Sequence, residues 1–215
     1  MAGTRVTARD VAFRPARPAD AKAASRLLFD SFPKMASFII GLGSEERAKA
    51  ILARLFVLKG NRFSFENTVV FQYQGRIAGV GIAFPGKDLG KLNRRLGRLV
   101  LKQYKLRGKL ALIIRTWPLV FIKEAARDEY LLSNLAVRKR YHDQGLDERL
   151  LSHIEENVVK LECLKMAVMT CIGDKDSRKF YEDHGYRTKA IQLESNKRVP
   201  YFGAGYLRMV KELNQ

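Results

Sequence analysis

The sequence predicts an α/β protein, a mixed β-sheet with helices on both faces, and three observations carry that prediction. Two β-rich runs, Thr68 to Tyr73 and Ile77 to Phe84, flank Gln74-Gly75-Arg76 and read as an antiparallel hairpin. Downstream, strand-like runs at Tyr130 to Val137 and Leu164 to Cys171 are separated by a helical pattern, Asp147 to Lys160. That spacing requires a crossover and hence a parallel strand pair. Elsewhere, apolar residues recur at the 3.6-residue helical period. With 215 residues, 47% of them hydrophobic, the chain can bury one sizeable core and reads as a single unit over 1–215.

The elements follow in order. Ala12 to Ala16 leads into a helix whose apolar positions Ala21, Ala24, Leu27 and Leu28 keep helical spacing, with Asp20 favouring its first turn. After Gly41-Leu42-Gly43, Ser44 is an N-cap candidate for a helix through Ile51, Leu52, Leu55 and Phe56, with a stop at Gly60. Pro85-Gly86 closes the hairpin. Residues at about 87–126 read as one or two basic amphipathic helices. One apolar face is Leu89, Leu92, Leu96 and Leu99; the second is Leu110, Ile113, Ile114 and Trp117, with Pro118 ending it. A helix over Asp174 to His184 and two terminal strands complete the chain.

Composition narrows the function classes. Cys163 and Cys171 are placed on one strand as core thiols, too far apart to form a disulfide, and no leader pattern is evident. A reduced, cytoplasmic protein is expected. The longest apolar stretch, Leu110 to Ile122, contains Arg115 and Pro118 and is shorter than the roughly 20 residues that span a bilayer. His142, His153 and His184 lie far apart, so no metal site is expected.

Chemistry concentrates where Leu135-Ala136-Val137 is followed by Arg138-Lys139-Arg140-Tyr141-His142-Asp143-Gln144-Gly145-Leu146-Asp147. A Gly-bearing turn between a strand and a helix N-terminus presents backbone N–H groups that can cradle a pyrophosphate. This segment resembles the acetyl-CoA motif of the GNAT superfamily, Q/R-x-x-G-x-G/A after an L-A-V-like strand end. Gly145 stands at the first motif glycine, His142 where Gln or Arg is usual, and Asp147 where Gly or Ala is usual. Asp174 to Tyr186 is similar to the family's N-x-x-A-x-x-x-Y-x-x-x-G-F helix: Tyr181, Gly185 and Tyr186 fit, while Asp174 and Ser177 replace Asn and Ala.

The resemblance implies a mostly antiparallel central sheet with a splayed parallel pair, and an acyltransferase that moves an acyl group from acetyl-CoA to an amine. By that resemblance, the Leu135 N–H faces the thioester oxygen, the backbone around Ala136 and Val137 pairs with pantetheine, and His142, Asp143, Gln144, Gly145, Leu146 and Asp147 receive the pyrophosphate. Asp174, Ser177 and Tyr181 complete the cofactor contacts, and Tyr181 is the acid that protonates the departing thiolate. Asp147 is also expected to cap the helix it begins. The family's strand carboxylate position falls on Leu131, leaving Glu129, two residues earlier on the same strand face, as the nearest candidate base. Water or the substrate's own ionisation is an alternative.

Residues 87–123 hold eleven Lys or Arg and one acid, Asp88, so they supply ten of the chain's eighteen net positive charges. Such a segment can meet nucleic acid, an anionic surface or an acidic acceptor, or can be a solvated face that attracts anionic CoA. It also suits a wall of the acceptor site, as do Phe32, Pro33, Met35 and Phe38. The competing reading is a non-catalytic binding module that works through these basic helices.

Overall fold

The computed structural model describes residues 11–194, 201 and 203–213. Among these residues, seven strands form one sheet: β1 (Val11–Pro15), β2 (Thr68–Tyr73), β3 (Arg76–Pro85), β4 (Tyr130–Val137), β5 (Lys165–Cys171), β6 (Arg187–Leu193) and β7 (Gly205–Glu212). Their order is β1-β2-β3-β4-β5-β7-β6. Every neighbouring pair is antiparallel except β4 and β5. Between them run α1 (Ala21–Ser31), the single turn α2 (Pro33–Met35), α3 (Glu45–Val57), α4 (Leu89–Leu101), α5 (Leu106–Thr116), α6 (Leu146–Lys160) and α7 (Lys175–Asp183).

Alternation along the strands divides the core between the two sheet faces. On β4, Leu131 packs with Leu28, Leu52 and Leu55 from α1 and α3. Its neighbour Leu132 packs with Leu150 and Ile154 of α6 and with Tyr186. Close approach of α6 to the sheet depends on Gly81 of β3, where an added Cβ would overlap Ile154 Cδ1. The basic segment belongs to the first face, since Leu92, Leu99 and Val100 of α4 and Leu112 of α5 share its core.

Several sequence expectations change. Val11–Pro15 is not merely a lead-in to a helix but an edge strand on β2, and the α1 that follows it packs on β4 and β3. Helix α3 stops at Val57, before Gly60, although Ser44 does cap it by accepting from the Arg47 N–H at 3.2 Å. Cys163 precedes β5 rather than lying on it, and both thiols are half-buried, not core.

Helix α5 is turned over relative to its sequence pattern. Leu110, Ile113, Ile114 and Trp117, the second apolar face of the sequence pattern, are exposed, and Leu112 is buried instead. Its inward side is fixed by Arg115, whose Nη1 donates to Phe38 O at 2.6 Å and whose guanidinium lies 4.4 Å from the Phe38 ring centre. With α4 already filling that part of the core, only a narrow strip of α5 finds apolar partners.

Candidate active site

The parallel pair separates almost as soon as it forms. β5 pairs with β4 only at Tyr130, Leu131 and Leu132, opposite Met166, Ala167 and Val168. At Ser133 the β3–β4 register shifts, a bulge that re-aims the strand where pairing to β5 ends. Beyond it, β4 stays on β3 while β5 stays on β7, so among the described residues the facing edge of β4 has no strand partner. The Arg138 N–H donates to Ala78 O on β3 at 2.8 Å. Backbone alternation therefore turns the N–H groups of Val137 and Leu135 the other way, toward the gap. The Ala136 N–H faces β3, opposite Val80.

After β4 the chain makes a 3-10 turn over Lys139–Gln144, and Gly145 takes φ 65° and ψ 23°, left-handed geometry that glycine adopts without a Cβ penalty. Helix α6 begins immediately, anchored by the fully buried Leu146. No side chain caps it, and its first main-chain bond there runs from Arg149 N–H to Gly145 O. Its first-turn N–H groups are thus left for an anion, reinforced by the positive end of the helix dipole.

The capping expected of Asp147 does not occur, because Gly145 holds the N-cap position and Asp147 lies inside the first turn. Burial pushes the Asp147 carboxyl above its ordinary pKa; His142 opposes that shift and Glu148 adds to it. His142 turns back on the strand, its Nε2 2.8 Å from Val137 O, so that carbonyl already has a partner. Asp143 contributes backbone to the turn. Gln144 has a buried Oε1 without a hydrogen-bond partner. Arg138 is bound to Ile77 O through Nε, while Lys139 is exposed.

Tyr181 of α7 packs, like Leu135 of β4, against the α6-side core, and meets Tyr186 edge-on at 5.4 Å between ring centres. Burial raises its hydroxyl pKa far above the ordinary tyrosine value, and the nearby charges of Asp147 and Asp174 push the same way. Carboxylates at the starts of α6 and α7 thus both act on this phenol. Asp174 caps α7, Oδ1 accepting from the Ser177 N–H at 3.0 Å and Oδ2 from the Ser177 hydroxyl at 2.7 Å.

Glu129 is not brought to this place. It sits at the paired end of β4, 7% exposed, with Oε2 accepting from the Ala126 N–H at 2.7 Å and Oε1 bound to Arg208. Its ion pair holds β4 to β7 across β5. Sequence reading missed a second polar group nearer the gap. Arg62 Nη1 and Nη2 grip both oxygens of Glu124 at 2.8 and 2.7 Å, and Nη2 also donates to Ser133 Oγ at 2.8 Å. Ser133 bonds Asn134, whose Nδ2 reaches Ser31 Oγ of α1 at 3.3 Å. Burial favours a protonated Glu124, but Arg62 and Asn93 outweigh it and hold the pKa below the usual carboxylate value.

Among the described residues, no group of three or more His, Cys, Asp or Glu is placed to hold a metal ion, and no helix is long and apolar enough to cross a membrane. Residues 118–201 match the family described as acetyltransferase (GNAT) domain. No curated protein matches the sequence. Solved structures with this fold include one described as an acetyltransferase, 21% identical with a TM-score of 0.69, covering 94% of this chain and 100% of the other. An N-acetyltransferase from Staphylococcus aureus Mu50 is 17% identical with a TM-score of 0.70, covering 93% and 99%. A GNAT family acetyltransferase from Elizabethkingia anophelis with acetyl-CoA bound is 15% identical with a TM-score of 0.52, covering 95% and 99%. The seven-stranded mixed sheet, with its one parallel pair, is the GNAT fold.

Proposed function

We propose that this chain, of the GNAT superfamily by its fold and by the domain match over residues 118–201, is an N-acyltransferase that moves an acetyl group from acetyl-CoA to a primary amine. The observation that carries the reading is the partnerless edge of β4 meeting the uncapped N-terminus of α6 beside a protonated Tyr181. An acyl-CoA needs just these surfaces: main-chain groups for its amide-bearing arm, free N–H groups for its pyrophosphate, and an acid for its sulfur.

In this mechanism the Leu135 N–H polarises the thioester carbonyl, as preorganised donors do where negative charge develops. The amine nitrogen bonds to the carbonyl carbon and the carbon–sulfur bond breaks. Tyr181, a phenol protonated throughout the neutral range, gives its proton to the leaving thiolate and regains one through the water that takes the amine's proton. Glu129, locked onto Arg208, is left out. The amine sheds its proton to water in the gap, while Ser31 and Asn134, held through Ser133 and Arg62, orient the acceptor from the α1 side.

One observation favours the binding-module reading: Asp147 puts an acidic residue in the first turn of α6, the turn proposed to receive the phosphates. Titration with acetyl-CoA, followed by thiol release across polyamines, amino acids, peptides and aminoglycosides, decides between them. Heat of binding and acceptor-dependent thiol are expected. Absence of both removes the enzyme.

A further inference from the structure

Among the described residues, the overturned face of α5 gathers the largest group of exposed apolar side chains. Thirteen large hydrophobic side chains are exposed among the described residues, and six of them fall within residues 106–121: Leu106, Leu110, Ile113, Ile114, Trp117 and Phe121, each between 49% and 81% exposed. At about 100° per residue, Leu106, Leu110, Ile113, Ile114 and Trp117 form one stripe, which Phe121 extends through the 3-10 turn Trp117–Phe121. Trp117 and Phe121 pack edge-on, ring centres 5.9 Å apart. A continuous patch differs from scattered exposed leucines, which need no explanation.

The opposite side of the helix is satisfied by the protein. Leu112 is buried, Gly108 lies against Tyr104, and Arg115 is bound to Phe38. Arg107 falls on one border of the stripe and Lys109 on the other, both exposed, and Lys102, Lys105 and Lys123 are exposed at its ends. Acidic residues are absent from 89–123 in the sequence. An apolar stripe bordered on both sides by cations is the pattern of a helix lying in a membrane interface, with aromatic rings at headgroup depth.

The geometry points to α5 and the following turn as an interfacial docking surface for a bilayer rich in anionic phospholipid. Charge selects that occupant over the alternatives. A second copy of the chain would set one basic border against another on a protein of net charge +18. Nucleic acid would take the cations but leave the apolar stripe in water. The inference stands apart from acyl transfer and is tested without it.

Trp117 is the sole tryptophan, so its emission reports on this surface directly. The full chain is mixed with vesicles of phosphatidylcholine, with or without phosphatidylglycerol, and followed by emission and co-sedimentation. Anionic vesicles are expected to shift emission to shorter wavelength and sediment the protein; brominated acyl chains should quench wild-type Trp117. Leu110→Glu with Ile114→Glu should abolish the shift, and Arg107→Glu with Lys109→Glu should lower vesicle affinity at least about tenfold. These side chains are exposed, and circular dichroism checks that the variants fold. Three results overturn the proposal: no shift or quenching with anionic vesicles, vesicle binding indifferent to the two glutamates on the stripe, or a lipid-free shift caused by duplex DNA or by self-association in sedimentation.

Discussion

At the residue scale, the chemistry rests on one phenol and is opposed by one carboxylate. Replacing Tyr181 by Phe keeps the edge-on contact with Tyr186 and removes only the hydroxyl. Turnover is expected to fall about 10²–10⁴-fold while acetyl-CoA affinity measured by calorimetry holds, because the proton is needed only as thiolate develops. Unchanged turnover with chemistry rate-limiting would return Tyr181 to a packing role. Asp147 makes a prediction of the opposite kind. Its folded pKa is raised, so the stability it contributes is present below the unfolded value and lost as pH rises through the folded one. Asp147→Asn should therefore match the wild type in urea near pH 3 and exceed it at pH 7. The same change should tighten acetyl-CoA at low salt and less so at high salt, since repulsion between exposed charges is screened. Equal affinities at both salts would show that the carboxylate points away from the phosphates. Tyr181, Gly145 and Asp147 are visible in the sequence because each sits at a fixed offset within a local pattern. Glu129 misled because a period-two strand gives its face but not its partner, Arg208, which is 79 residues away. The Arg62–Glu124 pair, 62 residues apart, leaves no local trace at all.

At the scale of elements, the hairpin, β4, α6 and α7 are legible because hydrophobic period and turn residues are local properties. Helix α5 is not, because its apolar side is real but the core it should meet is already filled by α4. Two glycines test how this segment is attached. Gly86 closes its neck: the Gly86 N–H donates to Glu129 O at 2.8 Å, and an added Cβ would overlap the main-chain oxygens of Ala126 and Glu129. Those atoms cannot yield without opening the start of β4. Gly86→Ala is expected to destabilise by about 1–3 kcal/mol, as overpacking does. Gly97, within α4, has open space where a Cβ would stand. Gly97→Ala should stabilise by about 0.5–1 kcal/mol through reduced backbone entropy in the unfolded chain. Urea midpoints of the two variants shifting in the same direction would contradict this placement of the segment.

At the scale of the whole molecule, a net charge of +18 and a gap lined by main-chain donors combine to favour an anionic ligand that touches both sheet and helices. Acetyl-CoA would bridge β4, α6 and α7, which share one core beneath the gap. A ligand bound to the folded state alone stabilises by RT ln(1 + [L]/Kd), about 2.7 kcal/mol at a hundredfold excess over Kd. For a chain of this size each kcal/mol is about 2–4 °C, so the thermal midpoint should rise by roughly 5–11 °C. Two components of that rise can be separated. The long-range attraction of the basic molecule for a polyanion fades within a Debye length, about 8 Å at physiological ionic strength, whereas hydrogen bonds from Leu135, Val137 and the first turn of α6 persist. Raising salt at fixed acetyl-CoA should shrink the shift without abolishing it. A shift that vanishes in high salt would mean that CoA binds as a polyanion to the basic surface. The same result from inorganic pyrophosphate and acetyl-CoA would show that the β4 edge takes no part. No shift under any condition would remove acyl-CoA binding, and with it the reading of the gap as an active site.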